Sequence, residues 1–152
     1  MKTVNSTIAN NTTSHSLHDL VDEVIRDLLP LQSSGKGQII NSVPPYLSIR
    51  TNEESILSSI ISGLLYALLS NATEGDLEVS ARELFGNTIK VFVKDNNCYN
   101  TYAVACALQK VVPMAERIGG FINIMNQRQK ITTIEFSFPF GKDELFPADD
   151  DR

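Results

Sequence analysis

The hydrophobic and polar positions of this chain follow two periods, and together they predict helices and strands in a definite order. Near the start, apolar residues recur every three or four positions from Leu17 to Leu29, which predicts an amphipathic helix with one buried face. Ser16, with Asp19 three residues later, has the pattern of a capping box, and Pro30 marks the end of the helix.

Two further helices are predicted. The first opens at Thr51, which forms a capping-box pattern with Glu54, and its apolar residues cover most of its circumference as far as Leu69, so it is largely buried. Gly63 in its middle costs roughly 1 kcal/mol relative to alanine, which suggests that another element packs close to the backbone. The second runs from about residue 101 to 118 and contains Pro113, which should kink or split it.

Strands are predicted where short apolar runs or strict alternation replace the helical period. They lie at Gln38–Ser42, Leu47–Arg50, Leu77–Arg82, Ile89–Lys94, Phe121–Met125 and Thr132–Phe138. The order is helix, two strands, buried helix, two strands, helix, two strands. It predicts an α+β fold, a two-layer sandwich in which helices cover one face of a mixed β-sheet.

The domain organisation follows from the ends of this pattern. Residues 1–13 are polar and of low complexity, which predicts a flexible tail, and residues 14–140 carry all of the predicted elements of one folded domain. Residues 141–152 form an acidic C-terminal tail, expected to be solvated. The initiating Met and the acidic end favour a complete protein over a fragment of a longer one.

Composition excludes several classes of function. Of 152 residues, 13 are Lys or Arg and 18 are Asp or Glu, and the net charge of −5 argues against binding to nucleic acid or to an anionic membrane. The longest apolar run, Ile60 to Leu69, is far below the roughly 20 residues of a membrane span, and the polar N-terminus is not expected to be a secretory signal. Two cysteines without a CxxC pattern fit a reducing cytoplasm, and two histidines make a metal site unexpected.

Four stretches, in order and at plausible spacing, resemble a known family over about residues 14–140. They are SLHDLVDEVIRDLLPLQSSGKGQIINSVPPYLSIRTNEE, ILSSIISGLLYALLSNATEG, IKVFVKDNN and VVPMAERIGGFINIMNQRQKITTIEFSFPF. Together they resemble the ATP-binding domain of sensor histidine kinases. Gyrase, Hsp90 and MutL contain domains of the same family. The resemblance implies an ATPase-type fold of the two-layer class predicted above and a place in two-component signalling.

The resemblance also implies candidate residues for the adenine end of a nucleotide site. Asp95 matches the aspartate of the family's D-box, which accepts the adenine amino group, and Thr132 matches the adenine-side threonine of the closing strand. Asn97 stands at the first glycine of the D-box, where asparagine still tolerates left-handed backbone geometry. Asp95, Asn97 and Thr132 are therefore vestigial nucleotide-binding candidates. Tyr99, at the second glycine, would fill space intended for the base or its lid.

The metal end of that site departs from the family. Aligned from the start of the helix, the two asparagines of the N-box, which hold Mg²⁺, fall on Ser62 or Gly63 and on Tyr66 or Ala67. A shifted register places Asn71 at the second position and still leaves Ala67 at the first. We prefer the unshifted register. In it no good oxygen ligand for a hard cation is present, since Mg²⁺ prefers carboxylate, amide or water oxygens.

The phosphate end departs as well. The family's glycine-rich lid offers backbone N–H groups to the phosphates at the start of a helix, and the matching stretch here, Ala105 to Leu108, has no glycine. Positioned cations and backbone donors supply most of the stabilisation in phosphoryl transfer, so turnover of ATP is not expected. His15 and His18 are interpreted as polar residues near a helix cap, and neither lies in a phospho-acceptor hairpin.

Three hypotheses follow. The first is a degenerate histidine-kinase-type domain in the cytoplasm that works as a signalling or scaffolding module through a protein partner, with no catalytic residue, metal or cofactor. The second retains adenine-nucleotide binding without turnover. The third is an ATP- and Mg²⁺-dependent kinase, like an anti-sigma-factor kinase, that phosphorylates a separate protein. Tyr99 and Tyr102 fit either packing into the former cleft or an interaction surface.

Overall fold

The computed structural model describes residues 14–29, 38–50, 54–71, 76–98, 100–128 and 130–139. Its helices are α1 (Leu17–Leu28), α2 (Glu54–Leu69), α3 (Thr101–Ala107) and α4 (Val112–Arg117), with a 3₁₀ helix at Leu108–Lys110. Its strands are β1 (Ser14–Ser16), β2 (Ile39–Asn41), β3 (Ser48–Arg50), β4 (Leu77–Leu84), β5 (Thr88–Asp95), β6 (Phe121–Gln127) and β7 (Ile131–Pro139). The predicted tails, Pro30, Thr51 and Tyr99 lie outside the described residues.

The core of the fold is a five-stranded mixed sheet with the order β2-β4-β5-β7-β6. Strand β2 runs parallel to β4, and every other neighbouring pair is antiparallel. Alternate residues of β4, β5 and β7 are buried beneath the helices, which cover one face of the sheet. The predicted α+β sandwich with a mixed sheet and helices on one face is therefore confirmed.

One part of the sheet arrangement was not predicted. Strand β3 does not join the large sheet but pairs with β1 in a separate two-stranded ribbon, in which His15 lies opposite Ile49. Each of these strands has three residues, too few for a period of two to be visible in the sequence. The Nε2 atom of His15 lies 3.4 Å from Oε1 of Glu54, which brings β1 close to the start of α2.

Helix ends follow the predicted chemistry where they are described. The backbone N–H of Asp19 donates to the Ser16 side chain over 3.2 Å, as the capping pattern before α1 predicted. The predicted third helix is split before Pro113, which occupies the first turn of α4. Proline is tolerated there because the first N–H groups of a helix have no hydrogen-bond acceptor within the helix. None of the described helices is long and apolar enough to cross a bilayer.

The close approach predicted at Gly63 is confirmed. A Cβ atom built at this position would lie 2.6 Å from Cγ2 of Val111, in the segment between the 3₁₀ helix and α4. Val111 is buried, so the missing side chain lets this segment pack directly on α2. The glycine therefore sets the distance between the central helix and the segment that leads into α4.

Replacing Gly63 by alanine should lower the free energy of unfolding by about 1–2 kcal/mol, because overpacking outweighs the roughly 1 kcal/mol that alanine gains in helix propensity. In a Val111→Ala background the obstructing methyl is gone, and Gly63→Ala should become neutral or stabilising. Urea denaturation of the four proteins in this cycle measures the coupling. An equal cost of Gly63→Ala in both backgrounds would contradict the contact.

Candidate functional site

The sheet brings two of the predicted nucleotide-binding residues together. Asp95, the last residue of β5, lies directly opposite Thr132 on the neighbouring strand β7. Directly opposed residues of antiparallel strands have Cα atoms about 5 Å apart and share one face of the sheet. Both residues are completely buried. The third candidate, Asn97, joins them through its backbone, since its N–H donates to Oδ1 of Asp95 over 2.8 Å.

A hydrogen-bond network engages the Thr132 hydroxyl. Its Oγ1 donates to the carbonyl of Cys98 over 2.9 Å and accepts from Nδ2 of Asn126 over 3.0 Å. The N–H of Cys98 in turn donates to the carbonyl of Lys130 over 2.9 Å. A threonine hydroxyl has one proton, so this proton is already committed to a protein carbonyl. Thr132 thus joins β7 to the segment that follows Asp95.

The same segment is also joined to the other side of the sheet. The backbone N–H of Asp76 donates to Oδ1 of Asn96 over 3.2 Å, and Oδ1 of Asp76 accepts from the N–H of Gln38 over 2.9 Å. Asp76 immediately precedes β4, and Gln38 immediately precedes β2. Asp95 is therefore followed by a turn that is anchored on both sides.

The segment predicted to replace the lid is helical. Helix α3 begins at Thr101, six positions after Asp95, and Oδ1 of Asn100 accepts from the N–H of Ala103 over 3.0 Å. Ala105 lies within this seven-residue helix, while Leu108 begins the 3₁₀ helix and is buried in the core. One amide of the first turn is thus used by the cap. Within the stretch, Ala105 and Cys106 are exposed, and only Leu108 is buried in the core.

The predicted N-box positions lie on different sides of α2. Ser62, Gly63 and Tyr66 line a groove of about 520 Å³ between α1 and α2, whereas Ala67 is buried. In the shifted register, Nδ2 of Asn71 donates to the carbonyl of Ala67 over 2.8 Å, so this amide caps the end of α2. In the described part of the chain, no group of three or more His, Cys, Asp or Glu side chains is placed to hold a metal ion.

Tyr102 does not pack into a cleft. Its side chain is 79% exposed on α3, so for this residue the cleft interpretation is wrong, and an interaction surface stays a prediction. A hydrogen bond with Cys106, one helical turn away, together with the negative charge of the Cys106 thiolate, raises the pKa of Tyr102 above its ordinary value of 10.0. Cys106 is exposed, and Cys98 is buried.

Sequence reasoning missed Asn126 and the carbonyl of Cys98 as members of this network. Asn126 lies opposite Thr132 in the pairing of β6 with β7, which is the relation that places its amide beside the hydroxyl. The sequence did contain a signal for Asn126. It follows Ile122 and Ile124 at a spacing of two, so it lies on the same face of the strand as these isoleucines. A backbone carbonyl leaves no signal in the sequence.

Replacing Thr132 by valine should lower the free energy of unfolding by about 1–3 kcal/mol, because the Cys98 carbonyl and the Asn126 amide both lose their bond to the hydroxyl and keep only their longer contact with each other, at 3.5 Å. Thr133→Val is a matched control, since its half-buried side chain points to the opposite face of the sheet, and it should change stability by less than about 0.5 kcal/mol. Urea denaturation compares the two variants. Equal effects would show that the Thr132 hydroxyl contributes nothing to the fold.

No protein-family model and no curated protein sequence matches this chain. Solved structures do match it. Full-length ShkA in complex with AMPPNP superposes with a TM-score of 0.72 at 16% identity over 85% of this chain, which spans 31% of that protein. Histidine kinase AdeS of Acinetobacter baumannii matches with a TM-score of 0.70 at 10% identity, covering 87% of this chain and 68% of AdeS.

The catalytic domain of histidine kinase ThkA gives a further match of nearly equal lengths. Its TM-score is 0.65 at 13% identity, over 85% of this chain and 95% of that domain. At these identities the comparison concerns the fold, and it agrees with the element order that the sequence predicted. The chain therefore has the fold of the catalytic domain of histidine kinases.

Proposed function

We propose that this chain is a degenerate histidine-kinase-type domain that acts as a signalling or scaffolding module through contacts with another protein, without turnover of ATP. The observation that carries the proposal is the complete burial of Asp95 and Thr132, whose side chains are engaged by neighbouring protein groups. A base that bound to these two side chains would have to displace protein from around them. The site thus has the character of a packed and hydrogen-bonded interior.

The region of the predicted lid supports the same proposal. Stabilising a transferring phosphoryl group needs preorganised donors and cations aimed at its oxygens. Here the aligned stretch is part of α3 and the 3₁₀ helix, and the first turn of α3 is capped by Asn100. The aligned N-box residues include Gly63, which packs against Val111, and the buried Ala67.

A second candidate function is binding of an adenine nucleotide without turnover. It is favoured by the register of β5 and β7, which places Asp95 and Thr132 side by side as the family resemblance implies. An active kinase that phosphorylates a separate protein with ATP and Mg²⁺ needs, in addition, groups that hold the phosphates. The three functions differ in ligand and metal dependence, so one set of titrations separates them.

Calorimetric titration of the whole chain with ATP and with ADP, each with and without Mg²⁺, is expected to show no binding at nucleotide concentrations of about 1 mM. Metal-independent binding that is lost in Asp95→Asn but kept in Glu83→Gln, an exposed carboxylate on β4, would support the second candidate instead. Mg²⁺-dependent binding of ATP together with phosphate release at enzyme-like rates, on the order of 1 s⁻¹ or more, would support the kinase. Either result would overturn the proposal.

A further inference from the structure

Strand β6 forms one edge of the five-stranded sheet. Its seven residues pair with β7 on one side, and no strand of the described part of the chain pairs with the other side. The outward N–H and C=O groups of such a strand are a template for a further strand. The opposite edge, β2, has only three residues and offers a much shorter template. Of the two edges, β6 is therefore the one long enough to pair with a further strand.

The β6 edge lacks the devices that usually protect an edge strand, which are charged side chains, proline and bulges. Its sequence, FINIMNQ, contains no charged residue and no proline. Its register with β7 runs without interruption from Phe121 opposite Ser137 to Gln127 opposite Ile131. Apolar side chains are also exposed along it, since Phe121 is 64% and Met125 39% accessible. These properties suit a strand that is covered by another strand.

The side-chain pattern of β6 is complementary to itself. When two copies run antiparallel about a two-fold axis at Asn123, Phe121 lies opposite the partner's Met125, and Ile122 lies opposite the partner's Ile124. Opposed residues share a face of the sheet, so the aromatic ring and the thioether meet on the open face. The isoleucines meet on the face beneath the helices, where both are half-buried. Each Asn123 then faces its own copy across the axis.

Charge favours a second copy as the occupant. The chain carries a net charge of −5, so two identical molecules repel each other overall. Strand β6 has no ionisable side chain, and pairing it with itself brings no like charges into opposition. A foreign strand selected by charge would find no complementary residue on this edge.

We propose that the chain forms a two-fold symmetric dimer by antiparallel pairing of β6 with β6 of a second copy, centred on Asn123. The two five-stranded sheets become one continuous sheet, joined by about four to six backbone hydrogen bonds. The inference rests on the edge strand alone and stands whether or not a nucleotide binds near Asp95.

The central residue gives a direct test, because any charge introduced at Asn123 faces its own copy. Sedimentation of the whole chain should show a concentration-dependent dimer. Asn123→Lys and Asn123→Asp should each weaken dimerisation by at least about tenfold, and an equimolar mixture of the two variants should restore it. Gln109→Lys and Gln109→Asp make the same charge changes at an exposed residue of the 3₁₀ helix and should leave it unchanged.

Two results of this experiment would overturn the proposal. One is a wild-type chain that stays monomeric up to about 1 mM, which would also be seen if β6 is covered by another segment or by a foreign strand. The other is a dimer that both Asn123 variants leave intact. Circular dichroism and a thermal melt of each variant confirm that a lost dimer is not a lost fold.

A disulfide tests the register itself. In a Cys106→Ser background, which removes the exposed thiol, Asn123→Cys should form an intermolecular disulfide under mild oxidation, while Cys98 stays buried. Paired Cα atoms of about 4.5–5.5 Å fall within the range that a disulfide spans. Gln109→Cys in the same background should cross-link at least about tenfold more slowly. Equal rates for the two variants would overturn the Asn123-centred register even if a dimer exists.

Discussion

Replacing Gly120 by alanine should lower the free energy of unfolding by about 3 kcal/mol or more. A Cβ atom at this position would clash with the carbonyl oxygen of Ser137 and lie 3.0 Å from the ring of Phe136. Ser137 belongs to β7, which is held between β5 and β6, so its carbonyl cannot retreat without breaking the sheet. Overpacking against fixed backbone is among the mechanisms that produce large effects of single substitutions.

Two other glycines provide controls for this effect. Gly119 and Gly86 both have φ of +79°, and an added Cβ meets only ordinary contacts at Gly119 and nothing within 4 Å at Gly86. Alanine at either position should cost about 1–2 kcal/mol, the price of left-handed backbone alone. Urea denaturation of the three variants separates conformational strain from collision. If Gly120→Ala lowers the free energy of unfolding no more than the other two substitutions do, the backbone of β7 can move to accommodate the added methyl group.

Gly120 also determines where β6 starts. Its N–H donates to the carbonyl of Ala115 over 2.8 Å, and the N–H of Gly119 donates to that of Glu116 over 3.0 Å, which together end α4 in a Schellman motif. Strand β6 begins at the next residue, Phe121. A substitution that moves Gly120 therefore also moves the edge strand on which dimerisation is proposed to depend.

Much of the fold could be predicted because local patterns act within single elements. The spacing of apolar residues fixes α1 and α2, Pro113 marks the division between α3 and α4, and the close contact at Gly63 follows from a glycine in a buried helix. Strand β1 was not predicted, and although β3 was predicted, its pairing with β1 was not, since three residues carry no period. Their pairing is decided by tertiary contacts between parts of the chain that are far apart in sequence.

The candidate site could be predicted only in part, for a physical reason. A side chain such as Asp95 or Thr132 can be recognised by its type and position in a motif, and the sheet register does place these two together. Their burial and partners depend on groups with no sequence signal, such as the carbonyl of Cys98 and the backbone N–H of Asn97. The proposal of a packed site therefore comes from the structure and could not come from the motif alone.

The packed site makes Asp95 a structural residue as well as a candidate ligand. Asp95→Ala removes the acceptor of the Asn97 N–H and leaves a space in a fully buried position, so it should lower the free energy of unfolding by about 3 kcal/mol. Asp95→Asn keeps an oxygen for that N–H and should cost at least about 1 kcal/mol less. Thermal and urea denaturation of both variants, with Glu83→Gln as the exposed control, measure the difference.

The difference between these two variants decides how a nucleotide experiment on Asp95 is interpreted. If the alanine variant is strongly destabilised, its failure to bind a nucleotide reports a damaged turn between β5 and α3. Only the asparagine variant, with its fold intact, then tests the carboxylate as a group that recognises adenine. If instead both variants are as stable as the wild type, Asp95 contributes little to packing. The interpretation of the site as a packed and hydrogen-bonded interior is then wrong.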